Sequence, residues 1–318
     1  MRIVITGATG YLGARLCRNL CVSGHEVIAV YRTLESKYTA WKVDLFSVIE
    51  GDIRESETIK KITETCADAL VHLVSLDHRA SEADPVLVNE VNVLPTWRLL
   101  DACSKNGFKK FIYFSTMQVY GRIPNTVIDE SYPIATANVY GLTHLLSEQI
   151  VEHFNRNTKM NAISVRLSNS YGVPVFHENN CWWLAINDLC KSAIERKEIK
   201  LLSDGSPQRD FIHGNDVSDA IEVLLTKAEK QENNIYNLVS GITFTMMELA
   251  LIIKAEYFKR YKIEIPIFTP EGIYNESEFT KSIEKYRISN EKFSRLGFEA
   301  QVKIGEGIQE VFSYLESK

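Results

Sequence analysis

The chain has 318 residues, enough for one large α/β domain or for a main domain with a smaller lobe. Apolar residues make up 45% and charged residues 24%, which is typical of soluble globular proteins, and the formal net charge of −5 argues against nucleic acid or an anionic membrane as the main partner. The sequence has no run of about 18 apolar residues and no signal-peptide pattern at its start, so we expect a cytoplasmic protein without a membrane span.

Short β-rich runs alternate with helical patterns in the first half of the chain. Strands are predicted at residues 2–6, 26–30, 47–50, 69–74, 110–114 and 161–167, and helices at residues 11–23, 55–65, 84–104 and 140–154. Continuous Val, Ile and Leu runs bounded by turns are typical of strands that are covered on both faces. The alternation therefore predicts an α/β fold with a doubly wound parallel sheet over about residues 1–170.

Beyond residue 170 the alternation gives way to helices separated by irregular segments. These helices are predicted at residues 182–196, 216–227, 245–257 and 304–315. We interpret residues 171–318 mainly as a smaller α/β substrate lobe, with some segments returning to the main sheet. Such a lobe would lie over the carboxyl ends of the strands, where ligands of these sheets bind.

Three glycines follow the first strand and open the first helix, which is the context of a dinucleotide-binding turn. Gly7 allows the tight turn, Gly10 lets backbone N–H groups approach a pyrophosphate, and Gly13 lets the helix pack close to the strand. The positive end of the helix would face the phosphates. This predicts a Rossmann domain whose cofactor turn consists of Gly7, Thr9, Gly10, Tyr11, Leu12 and Gly13.

The G-x-x-G-x-x-G spacing of this turn resembles the opening of the extended short-chain dehydrogenase/reductases, a group that includes nucleotide-sugar epimerases, dehydratases and 4-ketoreductases. Further segments carry the resemblance in order along the chain: G-D-I-R at 51–54, H-L-V at 72–74, N-E-V-N-V at 89–93, S-T-M-Q-V-Y-G at 115–121, R-L-S-N-S-Y-G at 166–172 and D-G-S-P-Q-R-D-F-I-H at 204–213. Pro95 stands where the family pattern has Gly. The resemblance covers nearly the whole chain.

The resemblance implies that Asp52 and Ile53 contact the adenine and that Leu73 passes under the cofactor. An acidic residue after the second strand usually binds the ribose of NAD, whereas this chain has Tyr31 and Arg32 there. A guanidinium can clamp a 2′-phosphate, so the sequence slightly favours NADP over NAD.

Two nearby residues bear on this choice of cofactor. Glu35 comes a few residues too late for the usual ribose carboxylate, and Lys37 is a weaker candidate to assist Arg32.

The resemblance also implies a reaction centre for hydride transfer at a sugar carbon. Tyr140 matches the family's acid/base tyrosine, and Thr116 matches the Ser or Thr that hydrogen-bonds the substrate oxygen, with Ser115 as a neighbouring alternative. The family has Lys four residues after this Tyr, on the same helix face, where it favours the tyrosinate and holds the nicotinamide ribose. His144 occupies that position here.

Three explanations of His144 stay open. The histidine supports an altered but working enzyme, with a charge that depends on pH. Alternatively, the site is impaired and the protein binds ligands without turnover. In the third explanation, the histidine is an introduced substitution.

The residues after Thr116 narrow the reaction. The resemblance implies that the family's 4,6-dehydratases have Asp and Glu at the positions of Met117 and Gln118, where these two side chains transfer the protons of the elimination. Neither Met nor Gln transfers protons at neutral pH, so the sequence favours epimerisation or reduction of a 4-keto sugar over dehydration.

The resemblance places the substrate's nucleotide and diphosphate against Asn169 and Arg209, with Met117 beside the sugar. A planar guanidinium suits phosphate, although Arg209 could instead pair with Asp210. We therefore expect an NAD(P)-dependent nucleotide-sugar epimerase or 4-ketoreductase, and related proteins suggest a homodimer.

No metal site is expected, because His177 and His213 lack partners at ligand spacing. Cys17 and Cys21 lie four residues apart on one predicted helix, but no second ligand cluster accompanies them. Buried reduced thiols are therefore favoured over a metal pair.

Overall fold

The computed structural model describes residues 1–33, 45, 47–124, 126–274 and 284–317. The elements up to residue 167 are β1 (Arg2–Thr6), α1 (Tyr11–Val22), β2 (Glu26–Tyr31), β3 (Ser47–Glu50), α2 (Ser56–Thr63), β4 (Ala69–His72), α3 (His78–Ala83), α4 (Pro85–Val88), a π-helical turn (Asn89–Val93), α5 (Leu94–Lys105), β5 (Lys110–Thr116), a 3₁₀ turn (Met117–Tyr120), β6 (Val127–Ile128), α6 (Val139–Asn157) and β7 (Asn161–Leu167). The remaining elements are β8 (Asn169–Tyr171), α7 (Ala185–Arg196), β9 (Ile199–Lys200), β10 (Gln208–His213), α8 (Gly214–Lys227), β11 (Ile235–Leu238), β12 (Thr243–Thr245), α9 (Met246–Tyr261), β13 (Ile267–Thr269), β14 (Gly272–Ile273), β15 (Arg287–Ile288), α10 (Glu291–Arg295) and α11 (Ile304–Glu316).

The central sheet has seven parallel strands in the order β3, β2, β1, β4, β5, β7 and β11. The chain adds strands to one side of β1 and then crosses to its other side at β4. Ligands of such sheets bind in the crevice at the carboxyl ends of the strands beside this switch point. The predicted doubly wound parallel fold is confirmed.

Helices cover both faces of this sheet, and nearly every residue of its central strands is buried. One core cluster joins β1 and β2 to α1 and α8, and the other joins the opposite strand faces to α2, α5 and α6. Ile3 and Ile5 point into the first cluster and Val4 into the second, which follows the two-residue period of a strand. Helix α6, which carries Tyr140, is therefore packed firmly against the sheet.

The predicted long helix at 84–104 is interrupted in the structure. It consists of α4, the π-helical turn and α5 in succession. Pro95 lies at the start of α5 and has no backbone N–H to donate, so the regular hydrogen-bond ladder cannot run through it. The strand predicted at 69–74 also ends earlier, at His72, and the residues after it form a loop at the sheet's carboxyl edge.

The second half of the chain builds its own core from α7, α9 and α11 around the short strands β9 and β10. β10 pairs with β8 and β12, and β9 pairs with β13. β11 does not belong to this group, because it returns to the edge of the central sheet beside β7. The division near residue 170 stays a prediction.

Three further features concern the cysteines, metal-binding groups and membrane-spanning helices. Of the two cysteines predicted as buried thiols, Cys17 is buried and Cys21 is half-buried, and Cys66 is exposed. In the part of the chain that the structure describes, no group of three or more His, Cys, Asp or Glu side chains is placed to hold a metal ion. Within the same ranges, no helix is both long and apolar enough to cross a membrane.

Candidate functional site

The glycine turn lies between β1 and α1, and its shape requires glycine at two positions. Gly7 adopts φ +71°, and a Cβ on Gly13 would lie 2.1 Å from the carbonyl oxygen of Gly7. Gly10 caps the N-terminus of α1 with extended backbone, and its carbonyl accepts from the N–H of Ala14. The turn thus brings the first N–H groups of α1 close to the sheet edge, which is the arrangement that binds phosphate.

A cleft opens beside this turn. Five of the predicted cofactor residues line it, namely Gly7, Thr9, Arg32, Asp52 and Ile53. Gly10, Tyr11, Leu12, Gly13, Leu73, Tyr140 and His144 are not among its lining residues; Leu12 and Leu73 pack on the core. Of the remaining lining residues, the sequence pointed to Tyr31, and Gly51, Arg54, Val74 and Val91 lie within its motifs. It did not single out Val30, Ser75 and Leu76.

Asp52 and Arg32 both line this cleft. Both Oδ atoms of Asp52 accept from Arg54, at 2.7 Å for the shortest contact, and this hydrogen bonding together with the charge of Arg32 holds the pKa of Asp52 below its usual value. The exposed Arg32 guanidinium therefore lies close to a carboxylate. Glu35 and Lys37 lie outside the described residues.

Tyr140 and Thr116 come together because α6 begins directly against the end of β5. Asn138 caps α6 by accepting from the N–H of Gly141 at 2.7 Å. A Cβ on Gly141 would lie 2.9 Å from the carbonyl oxygen of Gln118, so the first turn of α6 touches the 3₁₀ turn that follows Thr116. The predicted acid/base and the predicted oxygen-positioning residue are thus neighbours in space.

The phenol of Tyr140 is difficult to ionise in this environment. Burial, together with the negative charge of Asp77, raises its pKa to about 12. Hydrogen bonding with Thr116 and with Ser75 offsets part of this shift. Within the described residues, no Lys or Arg side chain is among the groups that shift the pKa of Tyr140, so a phenolate would depend on these two hydroxyl groups.

His144 lies one helical turn beyond Tyr140 and is buried, with 2% of its surface exposed. Its Nδ1 is 2.7 Å from the hydroxyl of Tyr113 and its Nε2 is 3.2 Å from the hydroxyl of Ser75. Burial lowers the pKa of His144 to about 4. The imidazole is therefore neutral at physiological pH and does not supply the positive charge of a lysine.

His72 is a second buried histidine beneath the same site. Its Nδ1 is 2.7 Å from the hydroxyl of Thr6, and burial lowers its pKa to about 3. Its Nε2 is buried and has no hydrogen-bond partner among the described residues. His72 and His144 are called the buried histidine pair below, since the charge of either disfavours that of the other.

Ser115 belongs to a buried polar network between β5 and α6. Its hydroxyl donates to Glu148, which also forms an ion pair with Arg166 at 2.7 Å, and both charged side chains are almost fully buried. Arg166 in turn donates to the hydroxyl of Tyr120. Because its hydroxyl is occupied there, Ser115 is the weaker of the two candidates to bind a substrate oxygen.

The two residues after Thr116 begin the 3₁₀ turn, and neither has an acidic or a basic side chain. Met117 is partly buried against the cluster around Val119 and Tyr120. The side-chain oxygen of Gln118 accepts from the amide of Asn138 at 2.9 Å. Gln118 thus supports the start of α6.

Asn169 and Arg209 lie on the adjacent strands β8 and β10 at the carboxyl side of the sheet. Asn169 is in register with Phe211, two residues after Arg209, so both lie on one face of the strand pair. Arg209 is exposed, and the buried Asp210 side chain is held by Ser168 and Ser240 instead. The alternative of an Arg209–Asp210 ion pair is not observed in the described residues.

The second half of the chain contacts the glycine turn directly. The amide of Asn179 donates to the backbone carbonyl of Thr9 at 2.8 Å, and the hydroxyl of Tyr11 donates to the carbonyl of Gly172 at 3.2 Å. Sequence reasoning missed Asn179, because the segment around it carries no recognised motif. These contacts join the predicted cofactor turn to the predicted substrate lobe.

Comparison with a family model gives a match over most of the chain. The model is described as the NAD dependent epimerase/dehydratase family and matches residues 3–238. Among curated proteins, a putative UDP-glucose 4-epimerase from Methanocaldococcus jannaschii is 26% identical over 99% of this chain and 98% of that protein. The dTDP-D-glucose 4,6-dehydratase from Mus musculus is 25% identical over 98% of this chain and 88% of that protein.

Solved structures share the fold over the full length. The UDP-glucose 4-epimerase from Thermotoga maritima with UDP-glucose has a TM-score of 0.82 at 22% identity, covering 100% of this chain and 99% of that chain. The UDP-glucuronic acid 4-epimerase from Bacillus cereus in complex with UDP-glucuronic acid and NAD has a TM-score of 0.81 at 21% identity, with the same coverage.

Proposed function

Because this chain belongs to the NAD dependent epimerase/dehydratase family, we propose that it is a nicotinamide-dependent epimerase or 4-ketoreductase of nucleotide sugars. The observation that carries this proposal is the approach of Tyr140 to Thr116 at the carboxyl edge of the sheet, beside the cleft that the glycine turn lines. An acid/base, an oxygen ligand and a dinucleotide cleft are the three parts that hydride transfer at a carbinol requires.

In this proposal the residues of the chain handle the proton while a bound nicotinamide takes or returns the hydride. Thr116 donates to the sugar oxygen and fixes its position. Tyr140 takes the proton from that oxygen when the alcohol is oxidised and returns it when the keto group is reduced. The glycine turn fits the cofactor, because the glycine at position 13 lets α1 pack directly on the turn and so brings the first N–H groups of α1 to where a phosphate would bind.

Epimerisation or reduction is favoured over dehydration. Elimination of water needs an acid for the leaving hydroxyl and a base for the adjacent carbon proton. Met117 has no titratable group, and the Gln118 side chain accepts from Asn138. The mouse relative is named a dehydratase, so a dehydratase assay belongs in the same test.

The function is tested by incubating the protein with NAD or NADPH and a panel of UDP, dTDP, GDP and CDP sugars and their 4-keto forms. We expect turnover of at least one of them and its loss in Tyr140→Phe, with Thr116→Ala reduced by about 100-fold or more. Leu202→Ala serves as a control, since Leu202 is exposed and away from the cleft lining. Equal rates in Tyr140→Phe and the unchanged protein would exclude this chemistry.

The cofactor is the next part of the proposal. The sequence favours NADP through Arg32, while several structures of the same fold are recorded with NAD. We propose NAD as the cofactor to test first and NADP as the alternative. Calorimetric titration of both dinucleotides into the protein and into Arg32→Ala decides between them, because loss of a 2′-phosphate clamp weakens NADP binding alone.

A second candidate function is ligand binding without turnover. It is favoured by one observation, the replacement of a lysine by the neutral, buried His144 beside a phenol whose pKa is raised to about 12. This candidate predicts that NAD(P) binds, that no sugar in the panel turns over, and that Tyr140→Phe changes nothing. If His144→Lys then gains several orders of magnitude in rate, the natural histidine is what limits the site.

For the substrate, we propose that Arg209 binds the diphosphate and that Asn169 contacts the adjoining sugar or phosphate. The support is their shared face on β8 and β10 and the exposure of the Arg209 guanidinium. Arg209→Lys keeps the charge and loses the planar fork, so it should raise the KM for a nucleotide diphosphate sugar with little change in kcat. An unchanged KM would contradict this assignment.

A homodimer is proposed from the apolar face that α5 and α6 present to solvent. Leu94 and Trp97 on α5 are exposed by 49% and 46%, and Leu142 and Leu146 on α6 by 44% and 41%. Two packed helices with such a face can pair with their own copy about a two-fold axis. Light scattering of the protein and of Trp97→Glu tests the proposal, with a monomer expected for the variant.

A further inference from the structure

Three polar side chains form a line that runs inward from the cleft toward the sheet. Ser75 lines the cleft, His144 lies behind it, and Tyr113 lies behind His144. The Ser75 hydroxyl is 3.2 Å from Nε2 of His144, and the Tyr113 hydroxyl is 2.7 Å from Nδ1. Each nitrogen of the imidazole thus has a hydroxyl neighbour, and the backbone carbonyl of Phe114 also interacts with the ring. Ser75 is the member of the line at the cleft.

The hydrogen bonds of Ser75 determine which nitrogen of His144 carries the proton. The Ser75 hydroxyl donates its single hydrogen to the carbonyl of Leu76, at 2.9 Å. Its contact with His144 therefore has the oxygen as acceptor, so Nε2 carries the N–H. Nδ1 is then the acceptor, and the Tyr113 hydroxyl donates to it. Every donor in the line points toward Ser75.

Tyr140 lies at the outer end of this line. Its ring meets the His144 ring edge-on, with centroids 4.5 Å apart, so packing brings these two side chains together. Its phenol interacts with Ser75 and Thr116, while Asp77 and His78 of the neighbouring loop and helix also face it. Ser75 is the hydroxyl group that lies between the phenol and the imidazole.

The position of Ser75 is held from behind by the π-helical turn. The side-chain oxygen of Asn92 accepts from the N–H of Leu76 at 2.9 Å, and the Asn92 amide donates to Thr143 on α6 at 3.4 Å. One buried side chain thus fixes the loop that carries Ser75 relative to the helix that carries Tyr140 and His144. A π-helical turn at such a place is typical of a functional site.

We propose that Ser75 is a positioning residue for Tyr140: its hydroxyl accepts from Nε2 of His144 and turns from the Leu76 carbonyl to the Tyr140 oxygen when that oxygen is negative. This rests on the function proposed above. A chain of three neutral donors then stabilises the phenolate in place of the lysine charge, because each hydrogen bond strengthens the next. The proton of the substrate hydroxyl passes to the Tyr140 oxygen, and no other proton leaves its atom.

The low pKa of His144, about 4, agrees with this arrangement, because a neutral imidazole is what both hydroxyl contacts require. Burial also raises the pKa of Tyr113 well above its ordinary value, so that hydroxyl keeps its hydrogen and stays a donor. His72 lies behind Tyr113, with ring centroids 6.0 Å apart, and it too is neutral. The interior of the line therefore carries no charge.

The first test is independent of turnover. The ¹⁵N shifts of the His144 ring, assigned by their loss in His144→Gln, report which nitrogen carries the proton. We expect the proton on Nε2. A proton on Nδ1 would overturn the proposal, because Ser75 would then have to donate to His144 and could not turn to Tyr140.

The second test measures the pKa of Tyr140 by NMR of ¹³C-labelled tyrosine, assigned with Tyr140→Phe. Loss of one hydrogen bond to a charged oxygen in Ser75→Ala should raise this pKa by about one to two units. Ser75→Thr keeps the hydroxyl and should restore it. Ser104→Ala, which removes a hydroxyl on the outer helix α5, is the matched control and should leave the pKa unchanged. An unaltered pKa in Ser75→Ala would overturn the proposal.

Activity provides the third test and separates the two levels of inference. With a substrate from the panel, Ser75→Ala should lower kcat about 10- to 100-fold at constant KM, and the pH at which kcat rises should move upward. His144→Gln, whose amide N–H can replace Nε2–H, should retain more activity than His144→Leu. If the unchanged protein turns over no sugar, the proposed function fails while the tautomer and pKa measurements still decide the role of Ser75. If it is active and Ser75→Ala matches it in rate and pH profile, the role of Ser75 fails alone.

Discussion

Replacing His144 by lysine should lower the pKa of the Tyr140 phenol by about 2 units. The rings of the two residues have centroids 4.5 Å apart, so an ammonium at position 144 would lie about 5 Å from the phenol oxygen. At an effective dielectric constant of about 20, a unit charge at that distance contributes about 3 kcal/mol, equivalent to about 2 pKa units. The pKa of Tyr140 would then return from about 12 to near the ordinary value of tyrosine.

The assay is the pH titration of ¹³C-labelled tyrosine in His144→Lys and in the unchanged protein, with Tyr140→Phe as the assignment. His153→Lys provides a matched control. His153 lies on the same helix, α6, but its ring stacks on Trp97 at the outer surface, 5.7 Å between centroids. The same exchange there should leave the Tyr140 pKa almost unchanged, since His153 lies about 20 Å from Tyr140 along the helix axis and a charge at that distance is largely screened.

The reasoning would be refuted by a folded His144→Lys protein in which the Tyr140 pKa moves by less than about half a unit. That result would mean that burial and the Asp77 charge dominate the phenol whatever stands at position 144. A fall in pKa of equal size in His153→Lys would likewise contradict it, because a distant charge would then act as strongly as an adjacent one.

Three further predictions concern stability and cofactor binding. The pKa values of His144 and His72 in the buried histidine pair are lowered to about 4 and about 3, so both imidazoles stabilise the fold fully above the unfolded pKa of about 6.5 and lose that contribution as pH falls toward the folded values. Urea unfolding should therefore show a loss of up to about 1.4 kcal/mol of unfolding free energy per pH unit per histidine. His144→Gln should remove half of this slope. Glu148→Gln leaves the guanidinium of Arg166 buried without its anion and should cost about 3–5 kcal/mol of unfolding free energy; a loss below about 1 kcal/mol, the usual value of a surface pair, would show that the site is not desolvated. Gly13→Ala places a Cβ against a backbone carbonyl, so calorimetry should detect no dinucleotide binding while circular dichroism shows a folded protein.

The local pattern of the sequence was sufficient for the sheet. β1, β3 and β7 have the predicted bounds, because an apolar run between turn residues has few alternatives when both of its faces are buried. The helix predicted at 84–104 was wrong in its interior. Pro95 was visible in the sequence, but whether the chain would stop, kink or widen into a π-helical turn depended on what packs around it.

The site residues divide in the same way. The glycine turn, Tyr140 and Thr116 could be located from sequence, because each sits at a fixed offset from a strand or helix end. Ser75 and Asn92 could not, since an ordinary serine and asparagine acquire their roles only from neighbours 69 and 16 residues away along the chain. The preference of Ser115 for Glu148 was likewise decided by which side of β5 its side chain faces.

By itself the sequence determined that the chain forms a parallel sheet with a glycine turn at its centre, because periodicity and turn chemistry are local properties. It also determined that histidine stands where a lysine is expected. Only the tertiary structure decided what that histidine does, because its protonation depends on burial and on the partners of its two nitrogens. Those partners, Ser75 and Tyr113, come from the loop after β4 and from the middle of β5, and burial keeps His144 a neutral hydrogen-bonding group beneath Tyr140.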